Sequence, residues 1–215
     1  MQTAAHSLLE STAVKVQQFS RDDLDRWVEL GGLHMLVNAC DPERSPKSLI
    51  EACVGALAHV AHVDRKFAVK MSDCGGVLSL LKVCKSDVSS LSVLISATSA
   101  LFLLAFDPST KEKIVKNEGT SLVVSLIEKS SDIRLLTWTV GILAALTFKN
   151  TPIISEVVSS SESLIESLLR LMIREDATTS SKTYVAIVFI SHFSLSNFSH
   201  YCLHIKTMQQ CNNIF

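Results

Sequence analysis

The densest cluster of metal-type ligands in the sequence is His200-Tyr201-Cys202-Leu203-His204. On a helix its two histidines share a face, and His192 or Cys211 would be needed to complete a four-ligand shell. The cluster lies in an irregular stretch without paired cysteines or a nearby carboxylate, so its spacing reads as chance and no metal is expected. His59 and His62, three residues apart in an apolar run, read as surface residues of a helix rather than ligands. Asp22, Asp23 and Asp25 gather at a helix start, where the macrodipole favours them, and Glu162 and Glu166 form an ordinary helical pair. No phosphate-binding loop, nucleophile elbow, zinc-protease motif or C-x-x-C occurs. No catalytic residue and no cofactor is assigned, and no enzyme is expected.

Two paired glycines remain, Gly31-Gly32 and Gly75-Gly76. A phosphate cradle needs several backbone N–H groups converging between a strand and a helix. These pairs instead recur between helical patterns, with Gly119 a further 44 residues after Gly75. At the same spacing run Leu36, Leu80, Val124 and Leu168; Leu33, Val77 and Ile165, broken by Ser121; and Ala56, Ala100 and Ala144. Pro108 and Pro152 share that spacing, with Asp64 at the matching place one unit earlier. A period in this range marks a stacked repeat.

Within a unit the pattern is helical. Leu33, Leu36, Val37 and Cys40, then Val77, Leu80, Leu81 and Cys84, fall at offsets that line one helix face. A longer apolar helix follows each, from Pro46 to about Val63, Val88 to Phe106 and Ile133 to Phe148. Ser45 is expected as an N-cap before Pro46 in the first helical position, and Ser109 to Glu112 as a capping box, with a weaker version at Ser20. Gly31, Gly75 and Gly119 are expected to close short helices in the left-handed conformation.

Each unit therefore reads as short helix, glycine turn, short helix, polar turn, long helix. This resembles the armadillo repeat family, on Val28 to Leu33 with Ala52 to Ala61, Asp73 to Leu81 with Ala97 to Ala105, and Lys116 to Leu122 with Gly141 to Phe148. The resemblance implies an all-α fold, a right-handed α-solenoid of about four three-helix repeats. The expected division is a partial repeat over 1–19, repeats over 20–63, 64–107 and 108–151, a degenerate repeat over 152–195, and an atypical tail over 196–215. Both ends read as poor caps, as in a fragment of a longer array.

The resemblance also implies a non-catalytic scaffold or adaptor whose third helices line a groove for another protein. In the family an Asn on each third helix pins an extended peptide. Here those places hold His59, Leu103 and Thr147, or Ile142 if Trp138 takes the place of the family's groove tryptophan. The Asn series is absent, which favours a bound helix over an extended peptide. Candidate groove residues are Gly55, His59, His62, Ser99, Leu103, Trp138, Leu143 and Thr147. Arg65, Lys66 and Lys70, with Lys111, Lys113 and Lys116 one unit on, form a candidate basic stripe.

Composition narrows the partners. With a net charge of −1, nothing in the chain favours nucleic acid. Apolar residues make up 47% and mean hydropathy is +0.32, which suits a chain whose ends are covered by another copy or another domain. Val88 to Phe106 has no charged residue, yet its serines and threonines make a poor membrane span. No basic and apolar leader opens the chain, so an intracellular, cytoplasmic place is expected, with the nucleus as alternative. The six cysteines sit in apolar runs and read as reduced, buried thiols.

Overall fold

The computed structural model describes residues 2–87, 89–148 and 162–192. Among the described residues there are helices and no strand. They are α1 (Gln2–Val16), α2 (Arg21–Glu29), α3 (Gly32–Ala39), α4 (Lys47–Val63), α5 (Arg65–Asp73) and α6 (Gly76–Lys85). There follow α7 (Leu91–Leu104), α8 (Pro108–Lys116), α9 (Gly119–Lys129), α10 (Ile133–Thr147), α11 (Glu162–Ile173) and α12 (Thr179–His192). No described helix is long and apolar enough to cross a membrane. The uncharged run expected from Val88 to Phe106 is helical only over α7, and Val88 lies outside the described residues.

The chain forms two compact units, one ending at Leu122 and the other beginning at Val123. In the first, α4 is central. It packs on α1, α3, α5 and α7, and α1 lies against α4 as α4 lies against α7. Leu36, Leu49, Leu57, Phe67, Met71 and Leu101 of these helices are fully buried, as is Leu80 of α6. They fall at helical spacing in sequence, so each helix offers one continuous apolar face and stacking covers it.

Helix starts in this unit are fixed by side chains on orphan backbone N–H groups. Ser20 accepts from the Asp23 N–H at 3.2 Å, Asp64 from the Lys66 N–H at 2.8 Å and Asp107 from the Thr110 N–H at 3.1 Å. The third of these corrects the expected capping box. Asp107 caps α8 with Pro108 following it, while Ser109 only donates to the Asp107 carboxylate, at 2.6 Å. Pro46 likewise stands one place outside α4, in extended conformation, and Ser45 is not the cap.

The glycine turns divide into two roles. Gly31 and Gly75 are left-handed, with φ of 87° and 86°, and in the third turn that conformation belongs to Glu118, φ 60°. Gly119, expected to be the left-handed stop, instead begins α9. It matches Gly32 and Gly76, where a side chain is sterically excluded. A Cβ at Gly32 would fall inside the Trp27 ring, one at Gly76 2.7 Å from the Met71 carbonyl oxygen, and one at Gly119 2.7 Å from that of Ile114. The spacing is therefore one residue shorter in this turn, and Thr120 rather than Ser121 takes the place of Leu33 and Val77. Thr120 is 7% exposed and its hydroxyl has no hydrogen-bond partner among the described residues.

In the second unit α12 packs on α10 and α11. Val140, Leu143, Leu164, Leu168 and Val185 are buried among them. Thr137 and Ser181 share a hydrogen bond at 2.8 Å, and the Arg174 guanidinium donates to the Ser131 carbonyl at 2.9 Å. The expected boundary at Pro152, the tail over 196–215 and the cluster of His200, Cys202, His204 and Cys211 lie outside the described residues, as does the His192 side chain.

Candidate functional site

A helix packed on three sides leaves one stripe to solvent. On α4 that stripe is Ser48, Glu51, Gly55, His59 and His62, the spacing of a single face. His59 is half-buried and His62 exposed. Partial burial, and then electrostatic repulsion from neighbouring His59, hold the His62 imidazole below its ordinary pKa. Gly55 is half-buried, and a Cβ there would meet only the Gln17 amide nitrogen at 3.6 Å. On α7 the stripe continues through Ser92, Ser96 and Leu103. The Ser92 hydroxyl donates to Glu51 at 2.8 Å, joining the two helices across the face. Beyond α7, Phe106 is 48% exposed and stands edge-on to Phe102 with ring centroids 4.9 Å apart.

Three of the candidates drawn from sequence do not present surface. Ser99 is 6% exposed and donates its hydroxyl to the Ser96 carbonyl at 2.9 Å. In the second unit Leu143 is fully buried, and Thr147, 1% exposed, donates to the Leu143 carbonyl at 2.8 Å. Trp138 is half-buried on α10. The N-caps explain the displacement: they are Pro46, Ser90 and Asp132, so the third helix starts early for a strict repeat. Counted from its cap, the place of His59 and Leu103 falls on Ala145, itself buried, rather than on Thr147 or Ile142. No Asn stands there in any register. Asp132 was the sequence signal for this shift, since its carboxylate accepts from the Arg134 and Leu135 N–H groups at 2.9 and 3.2 Å.

Arg65, Lys66 and Lys113 of the candidate basic stripe reach neighbouring elements, while Lys70 and Lys116 are exposed. Lys66 pairs with Asp25 at 2.6 Å, and Arg65 donates to the Phe106 carbonyl at 3.1 Å. Lys113 reaches Asp73 at 3.3 Å and the Ser72 hydroxyl at 3.1 Å, and Arg21 pairs with Asp64.

Among the described residues no three His, Cys, Asp or Glu side chains are placed to hold a metal ion. Cys40, Cys53 and Cys84 are buried free thiols, and burial pushes Cys84 up to about 12. Contact with Cys53, with burial, moves Cys40 in the same direction. Cys74 departs from the expectation of burial and is half-exposed.

No protein-family profile and no curated protein matches the chain. Solved structures do. A set of computationally designed armadillo repeat proteins for modular peptide recognition superposes with a TM-score of 0.72 at 20% identity, covering 85% of this chain and 75% of that one. The designed armadillo repeat protein YIII(Dq)4CqI gives 0.70 at 19% identity, over 85% and 74% of the two chains. The fold is an armadillo-type, all-α solenoid. A third designed armadillo protein, YIII(Dq.V1)4CPAF, was solved with the peptide (KR)4 and matches with a TM-score of 0.69 at 18% identity, covering 88% of this chain and 76% of that one. At these identities the armadillo likeness is one of fold.

Proposed function

We propose that the chain is a non-catalytic scaffold that presents the outer faces of α4 and α7 to another protein. The observation that carries this is the stripe left open on these helices, Glu51, Gly55, His59, His62 and Leu103, while their other faces are buried. The fold supports the reading, since armadillo proteins designed for peptide recognition share it. With Leu103 and Phe106 in place of an Asn ladder, the partner offers an apolar side rather than a bare extended backbone. A helix with one apolar stripe meets that requirement. The division into repeats at 20–63, 64–107 and 108–151 is part of the same proposal.

Leu103→Glu places a charge in the middle of the face without entering the core. The variant is expected to keep its helical circular dichroism and to lose partners in co-precipitation. A folded variant that retained every partner would sink the reading.

A second reading, self-assembly or docking on another domain, is favoured by α1. Its Leu8 is 71% exposed and Val14 50% exposed. Light scattering tests the first: Leu8→Glu should lower the mass of any oligomer, and a wild-type monomer at high concentration would remove self-assembly.

A further inference from the structure

The second unit holds a pocket of about 400 Å³ that the sequence did not point to. Its apolar wall is Ile127, Leu136 and Leu171, contributed by α9, α10 and α11 and each at most 5% exposed. The polar wall is Glu128, Ser130, Ser131, Ser167, Arg170 and Arg174. Arg170 uses only its Nη2, which donates to Glu166 at 2.6 Å, an exposed pair one helical turn apart. Its Nε and Nη1 have no partner among the described residues, and neither do the hydroxyls of Ser131 and Ser167 on the same wall.

The other charges around the pocket are committed. Arg174 donates through Nε and Nη2 to Asp176 at 2.8 and 2.6 Å and through Nη1 to the Ser131 carbonyl. Glu128 accepts from the Ser163 hydroxyl. What the walls leave over is two serine hydroxyls, an exposed guanidinium held through one nitrogen and an aliphatic surface. A guanidinium with two nitrogens free beside two hydroxyls suits an anion, and the Glu128 carboxylate on the wall weighs against a dianion. The aliphatic wall adds an apolar group next to the charge, and the volume lies within the range of small-ligand sites.

We propose that this pocket binds a single carboxylate carried on an aliphatic group, as found at the C-terminal residue of a polypeptide. Arg170 turns from Glu166 to the carboxylate, Ser131 and Ser167 donate to its oxygens, and the aliphatic side chain rests on Leu136 and Leu171. The site is separate from the α4 and α7 face, so each stands or falls alone.

The test is an NMR titration of the full chain with N-acetyl-leucine, N-acetyl-leucinamide and inorganic phosphate. N-acetyl-leucine should produce saturable shifts centred on Ser167 to Arg174. The amide should not saturate. Arg170→Gln should weaken N-acetyl-leucine about ten-fold, the size of one lost charged hydrogen bond. Arg170→Lys, which keeps the cation, should recover most of the affinity. Absence of saturation by N-acetyl-leucine overturns the proposal. Equal binding of the amide overturns the role of Arg170, and equal binding of phosphate overturns the role of the apolar wall.

Discussion

Thr137 on α10 and Ser181 on α12 stand 2.8 Å apart, hydroxyl to hydroxyl, at a separation of 44 residues. The Thr137 hydroxyl donates to the Ile133 carbonyl at 2.7 Å, so Ser181 is the donor between the two. Ser181 is fully buried and also lies 2.7 Å from the Thr178 hydroxyl. The result is a short chain of hydroxyls joining one long helix to the next. Ser181→Ala should lower stability by about 1 kcal/mol, as should Thr137→Val. Urea denaturation of both singles and the double should show a coupling of about 1 kcal/mol or less, with the double less destabilised than the sum.

The turns before α3 and α9 make opposite predictions. Gly31 occupies left-handed space that other residues enter at a cost, so Gly31→Ala should destabilise by about 1 kcal/mol. Glu118 already occupies that space with a side chain, φ 60°, and its ion pair with Lys85 at 2.9 Å is exposed to solvent. Exposed pairs contribute little. Glu118→Gly should therefore raise the thermal midpoint, where Gly31→Ala lowers it.

Most of the fold was legible because its cause is local. Leu33, Leu36 and Val37, or Val77, Leu80 and Leu81, can share a face only on a helix, and their repetition demands a stack. The misplacements on α9 and α10 are ones of register. Gly119 satisfied the 44-residue count by identity while filling the role of Gly76, so the residue lost from that turn went unseen. A second residue is lost before Asp132, so Thr147 was assigned two residues out of phase. The Arg170 pocket had no signature at all, because Ser131, Leu136 and Ser167 meet only once α9, α10 and α11 are packed.

Thr120 is a polar residue in an apolar place. Its unpartnered hydroxyl lies where Leu33 and Val77 stand in the other units. Thr120→Val keeps the shape and removes the unpaired group. A gain of about 1 kcal/mol is expected in chemical denaturation.

Asp107 carries the start of α8. The hydrogen bond from the Ser109 hydroxyl, opposed next by burial and then supported by the Thr110 backbone and hydroxyl, holds its carboxyl below the ordinary range. A depressed folded pKa gives stability that is present above the ordinary carboxylate value and lost as pH falls through the folded one. Asp107→Ala should cost about 1 kcal/mol at neutral pH, and the cost should shrink in acid. Ser109→Ala should cost less, which separates the cap from the residue that supports it. Thermal melts from neutral pH to strong acid would check both.

The central claim is that partners meet the outer face of α4 and α7. It is tested most directly by placing the photo-crosslinking residue benzoylphenylalanine singly at His59, Leu103, Leu78 or Lys70 and mapping the crosslinked products by mass spectrometry. The first two positions lie on the proposed face, and the others are exposed on α6 and α5. Covalent products from His59 and Leu103, with none from Leu78 or Lys70, are predicted. Products from Leu78 or Lys70 alone would contradict the account.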